Sequence, residues 1–193
     1  MSPRYRPDEY AVPPNKFGIT DLADLQSVET PLALRRLLEL QRGPVPGRFD
    51  TEHVQAIHRY IFQDVYEWAG ELRTVNIAKP GAIFPPPQYL QQNLDALFAE
   101  LAQENHLMNL SPSDWAHRAA YFLGEINAIH PFREGNGRSQ REFIRELAFA
   151  AGRRLVWEGH TRQEMIDASK LSHLRRDYSG LERILMDSLR ADR

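Results

Sequence analysis

Two apolar runs with helical spacing, Trp115, Ala119, Phe122, Leu123 and Ile126, then Phe143, Ile144, Leu147, Ala148 and Ala151, flank a stretch that no single helix can cross. His130-Pro131 stops the first run, because proline lacks an amide donor and disfavours helical geometry in the residue before it. Gly135 and Gly137 then make a tight loop, and the second run ends at Gly152, a C-cap residue. Ser111-Pro112-Ser113-Asp114 supplies the start of the first helix. The chain must therefore build a helix, a short loop and a helix in immediate succession.

The remaining pattern is mostly helical. After Asp50-Thr51-Glu52, an N-cap and first-turn acid, Val54, Ile57, His58, Ile61, Phe62, Val65 and Trp68 recur at helical spacing up to Gly70. Leu90, Leu94, Leu97 and Leu101 predict another helix, and two more are expected at Arg162 to Leu171 and Gly180 to Leu189. From Thr20 to Leu40 the leucines predict one helix or two short ones, with Pro31 as a first-turn residue. Between Glu71 and Pro87 the period changes: Leu72, Val75 and Ile77 alternate with polar residues, Pro80-Gly81 makes a turn, and Ala82-Ile83-Phe84 leads into three prolines. The expected fold class is all-α with one short β-hairpin. A length of 193 residues suits one domain with a small appendage. Residues 1–49, which open with a proline-rich extended arm, are expected to pack on a core formed by 50–193.

A net charge of −2 offers no global attraction for nucleic acid or an anionic membrane, so any phosphate must be held by a local site. The absence of cysteine excludes disulfides and thiolate metal sites. No apolar stretch is long enough to span a bilayer. The expectation is a soluble, cytoplasmic protein or a secreted effector, with no membrane partner and no direct nucleic-acid partner.

The chemistry concentrates in His130-Pro131-Phe132-Arg133-Glu134-Gly135-Asn136-Gly137-Arg138-Ser139-Gln140-Arg141. The glycines allow close backbone approach and positive φ, and the first amides of the following helix face outward, where both the unpaired N–H groups and the helix dipole favour an anion. Arg138 and Arg141, three apart on that helix, share a face and reach toward further phosphates, which favours a polyphosphate. Glu134 is a hard carboxylate beside that site, suited to Mg²⁺ that keeps several waters. His130 is a base able to take a proton from an attacking hydroxyl near neutral pH. The alternative for this segment is an ordinary helix junction with solvated arginines.

HPFREGNGRSQR resembles the Fic signature, HPFx(D/E)GNGRxxR, at every specified position. The resemblance extends over roughly residues 50–190, and Asn15-Lys16-Phe17-Gly18-Ile19 is similar to the start of bacterial toxin-type Fic proteins. It implies a protein adenylyltransferase that uses ATP and Mg²⁺ to move AMP onto a Ser, Thr or Tyr hydroxyl. It further implies His130 as general base, Glu134 as metal ligand, and Gly135, Asn136 and Gly137 as an anion hole with Asn136 orienting the α-phosphate. Arg138 and Arg141 would hold the outer phosphates, and Phe132 would anchor the loop in the core. The family's flap, which pairs with the target's backbone, would correspond to about Leu72 to Pro86. Transfer of a phosphoryl, UMP or phosphocholine group, or a catalytically inactive nucleotide-sensing module, is the competing reading; the intact Gly135-Asn136-Gly137-Arg138 disfavours the phosphoryl-transferring Doc branch.

Fic proteins are commonly restrained by a helix bearing (S/T)xxxE(G/N), whose glutamate pairs with the second motif arginine, here Arg141. No Ser or Thr of this chain has Glu four residues later. The expected restraint is therefore a separate small helical antitoxin whose glutamate docks at Arg141. Outside the motif, His58, His106, His117, His160 and His173 have no ligand spacing and are read as surface or internally satisfied histidines, with His53 and His58 no metal pair. Trp68, Trp115 and Trp157 are read as core packing, Trp157 alternatively as pocket wall.

Overall fold

A computed structural model describes residues 12–79 and 82–190; most of the proline-rich arm and the Pro80-Gly81 turn lie outside the described residues. Seven α-helices occur among them: α1 (Leu22–Leu40), α2 (Thr51–Phe62), α3 (Leu90–Gln103), α4 (Pro112–Ile129), α5 (Asn136–Ala150), α6 (Arg162–Arg175) and α7 (Ser179–Ser188). Their starts follow from side-chain caps. The Asp50 carboxylate accepts from His53 N–H at α2, Ser111 Oγ from Asp114 N–H at α4, and Thr161 with Glu164 forms a reciprocal capping box at α6. Each such cap stabilises by about 1 kcal/mol.

Helix α4 is the hub, packed by α3, α5, α6 and α7, while α5 also lies against α2 and α2 carries α1. The periodic apolar positions become the core: Phe62, Trp115, Phe122 and Phe143 are fully buried, and each buried phenylalanine contributes about 1.5–3 kcal/mol. Leu25 and Leu40 of α1 belong to that same core, and the Arg36 guanidinium grips Asp64 with two hydrogen bonds of 2.7 and 2.8 Å, so the first helix is part of the body. The end of the arm is held as well: Trp68 Nε1 donates to the Pro14 carbonyl at 2.8 Å and Lys16 N–H to the Val65 carbonyl at 2.9 Å.

Three local expectations need correction. Pro31 lies inside α1 and not in a first turn. One main-chain bond is lost there, and the helix continues because Leu25, Ala33 and Leu40 on either side are buried. The hairpin is much shorter than Leu72 to Pro86, since among the described residues only Ala78–Lys79 (β1) and Ala82–Ile83 (β2) pair, with Ala78 opposite Ile83. The carbonyls of Val75 and Pro85 are instead occupied by the Arg73 guanidinium, and Pro85, Pro86 and Pro87 have no amide to donate to a ladder. Finally, Arg154–Leu155 (β3) and Leu189–Arg190 (β4) form a second antiparallel pair that closes α7 back on the end of α5.

Candidate active site

The helix, loop and helix of 112–150 place the motif at the mouth of a cavity of about 770 Å³, a size typical of small-molecule sites. Helix α4 ends at His130, whose left-handed backbone (φ 50, ψ 63) lets its N–H bond to the Ile126 carbonyl at 3.0 Å while the chain turns away. Gly135 opens α5 with φ 79, and a Cβ there would lie 2.3 Å from the Phe62 ring, so this position requires glycine for both backbone and space. Gly137 is different. It is helical, and a Cβ would approach Arg141 Nη1 at 3.4 Å, so it keeps room for that guanidinium.

The loop is closed from within. Asn136 Oδ1 accepts from Phe132 N–H at 2.8 Å and its Nδ2 donates to the Phe132 carbonyl at 2.6 Å. Its side chain thus serves the loop, and its main-chain N–H at the start of α5 is the group it can offer an anion. Phe132 is buried as expected and stacks on His58, with ring centroids 3.9 Å apart. His58 accepts from Gly70 N–H at Nδ1 (2.8 Å) and lies 3.0 Å from the Glu134 carbonyl at Nε2. The first bond fixes the proton on Nε2, so His58 donates to the loop that carries Glu134.

His130 is buried, with its ring stacked on Phe84 at 4.2 Å. Its Nδ1 lies 3.2 Å from the Asn127 carbonyl. A carbonyl only accepts, so Nδ1 carries the proton and Nε2 the lone pair, the arrangement of a base. Arg73 holds the same turn from behind: its N–H donates to the Pro131 carbonyl (2.9 Å), and its guanidinium to the carbonyls of His130 (2.8 Å), Val75 (2.9 Å) and Pro85 (2.6 Å). One buried cation thereby ties both legs of the hairpin segment to the histidine. Burial pushes its pKa down to about 10, which still leaves it charged at neutral pH.

The two motif arginines have unlike surroundings. Arg138 is ion-paired with Glu29 of α1, and its guanidinium lies over the Phe62 ring with Cζ 4.6 Å from the centroid. Arg141 has no carboxylate at ion-pair distance among the described residues. Burial, then the like charges of Arg138 and Arg162, push its pKa down. A half-buried cation with no counter-ion among the described residues, set in the wall of a cavity, is suited to an anion. Glu134 sits at the mouth, half exposed, with Oε1 accepting from Gly135 N–H at 2.8 Å. One hard carboxylate beside a phosphate site fits Mg²⁺, which takes most of its ligands from water and phosphate.

His130, Glu134, Gly135, Gly137, Arg138 and Arg141, singled out in the sequence, all line this one cavity. Trp157 borders it too, as do His160 and His173, which the sequence marked only as surface or satisfied residues. Trp115 is core, and Trp68 is half-buried against the arm. Sequence reading missed Glu29, His58, Arg73 and Phe84 as parts of the site. Glu29 had a visible signal, an acid on the Leu25, Glu29, Ala33 stripe of a helix.

Comparison with known proteins places the chain in a family. Residues 48–148 match the Fic/DOC family, and 165 residues are 44% identical to the protein adenylyltransferase VbhT of Bartonella schoenbuchensis. The chain belongs to the Fic/DOC family. The VbhT match covers 86% of this Fic chain but only 34% of the relative, so the chain spans about a third of that protein's length. The probable protein adenylyltransferase y4lH of Sinorhizobium fredii is 47% identical over 139 residues, covering 72% of this chain and 71% of the relative. In structure the chain is similar to the BepC protein of Bartonella tribocorum, a VirB-translocated effector crystallised with AMPPNP. The TM-score is 0.87 at 25% identity, over 96% of this chain and 98% of that one. The fold is therefore the Fic-type helical bundle.

Proposed function

We propose that this chain is a protein adenylyltransferase that moves AMP from ATP to a Ser, Thr or Tyr hydroxyl of a target protein. The observation that carries the reading is the half-buried Arg141, with no carboxylate at ion-pair distance among the described residues, facing the same cavity as the opening amides of α5 and His130. The relatives named protein adenylyltransferases and the related fold crystallised with an ATP analogue support it.

His130 Nε2 accepts the proton of the target hydroxyl as its oxygen forms a bond to the α-phosphorus. The bond from that phosphorus to the bridging oxygen breaks, and pyrophosphate leaves. A base so placed contributes about 10²–10⁴-fold. The α5 amides of Asn136 and Gly137, with Arg138 and Arg141, take up charge on the phosphates, and Arg73 keeps the His130 turn in place. Glu134 would hold Mg²⁺, which when bound supplies further charge neutralisation on the phosphate oxygens. Residues 50–193 carry these groups, while α1 adds Leu25 and Glu29 to the cavity wall. The target docks along the hairpin segment near Leu72 to Pro86, where exposed Ile83 lies beside the Phe84 that covers His130.

The same Arg141 is where we place restraint. A small helical antitoxin with Ser or Thr and then Glu four residues on would set its carboxylate against this cation, and a charge-assisted pair of that kind is worth about 1.5–3 kcal/mol. The chain would then be a toxin whose ATP site is blocked in the complex. No helix among the described residues is long and apolar enough to cross a membrane.

The test uses ATP radiolabelled at the α- or the γ-phosphate, incubated with the chain, Mg²⁺ and a bacterial extract. Protein labelled from the α position alone supports AMP transfer. Label from the γ position would replace this reading with phosphoryl transfer.

A further inference from the structure

We infer that Glu29 of α1 is a positioning residue for nucleotide binding, holding Arg138 in the orientation that meets the outer phosphates. This rests on the ATP-dependent reading above. Glu29 is only 4% exposed and shares its helix face with buried Leu25 and Ala33, a place where a carboxylate is unfavourable unless paired. Both of its oxygens are directed. Oε1 faces the Arg138 guanidinium and has no other hydrogen-bond donor among the described residues, while Oε2 accepts from Tyr66 O–H at 2.7 Å. Tyr66 is itself buried, and burial, then the bond to Glu29, push its pKa up, so the hydroxyl stays a donor.

The result is a relay from the core to the cavity: Tyr66 fixes Glu29, Glu29 fixes one edge of Arg138, and the Phe62 ring fixes its face. A guanidinium is planar with five donors in a rigid fork, so holding one edge and one face sets where the remaining donors point. Phe62 also lies under Gly135, which makes the arginine and the anion loop share one support. Sequence spacing along α5 puts Arg138 on the correct face. The contact with α1 decides its orientation on that face.

The experiment measures binding of ATP with Mg²⁺ and of AMP, by calorimetry, to the chain and its variants. Glu29→Gln removes the charge and keeps one carbonyl acceptor. ATP affinity should fall about tenfold while AMP affinity changes less than about twofold, because only the outer phosphates lose their partner. Glu29→Ala should be worse than Glu29→Gln, and in an Arg138→Gln background Glu29→Gln should add nothing further. Three results would overturn the inference: tighter ATP binding, which would make Glu29 a competitor of phosphate; equal change or no change for ATP and AMP; or an undiminished effect without Arg138. If Glu29→Gln does not fold, Tyr66→Phe carries the same selective loss at about threefold, and its absence overturns the inference. A wild-type chain that binds no ATP would remove the underlying functional reading as well, which separates the two failures.

Discussion

Lowering the pH should weaken this fold through His58. The ring is fully buried, receives Gly70 N–H at Nδ1 and donates from Nε2 to the Glu134 carbonyl. A second proton would have to enter at Nδ1, break the 2.8 Å bond and place a charge in the core near Arg138 and Arg59. Burial is the main reason that its pKa is pushed down from 6.5 to about 4, partly offset by the bond to Glu134. In the unfolded chain the same histidine takes up a proton near its ordinary value. Between those two values the unfolded state binds more protons, so the stabilisation is complete above pH 6.5 and is lost as the pH falls toward 4. At about 1.4 kcal/mol per pH unit, that interval corresponds to about 3 kcal/mol. The assay is urea unfolding followed by tryptophan fluorescence from neutral pH down to about the value where His58 titrates, for wild type and His58→Gln. The variant should be weaker at neutral pH, because Gly70 N–H loses its acceptor at about 1–3 kcal/mol, yet its stability should decline less on acidification by about 3 kcal/mol. A variant that loses stability as steeply as wild type would refute the assignment.

Gly135→Ala combines a left-handed backbone with a Cβ 2.3 Å from the Phe62 ring, so unfolding midpoints should drop by the equivalent of about 2–5 kcal/mol and ATP binding should weaken. An unchanged midpoint would contradict the geometry. Arg73→Gln leaves the His130, Val75 and Pro85 carbonyls without their shared donor; steady-state kinetics should show transfer falling far more than ATP affinity, since Arg73 acts on the His130 turn and does not itself line the cavity. Equal losses in both would show that it acts only on stability. Glu134→Ala, or excess chelator with the unmodified chain, should abolish transfer, and full activity under chelation would exclude the metal role.

The helices were legible because their caps and apolar faces are local properties: Asp50, Ser111 and Thr161 cap where the sequence placed N-termini. The clustering of the candidate site was legible because its groups are contiguous, from His130 to Arg141 on the first turns of α5, and they line one cavity. Residues facing the motif from other elements were not. Spacing along α1 puts Glu29 on a buried stripe, but nothing in it says that Arg138 lies opposite; likewise Arg73 follows Gly70 with no local mark of the carbonyls it gathers. Nor does the sequence show that the Asn136 side chain is turned inward to hold Phe132. Pairs of two-residue strands such as β3 and β4 are too short for alternation to be visible.

The most direct test of the central claim, a base at His130 acting on an incoming hydroxyl above an independent phosphate site, is to compare His130→Ala with wild type for both ATP binding and transfer of α-labelled AMP. The account requires ATP affinity within a few-fold of wild type and transfer reduced by about 10²–10⁴. Transfer at the wild-type rate, or loss of ATP binding together with transfer, would contradict it.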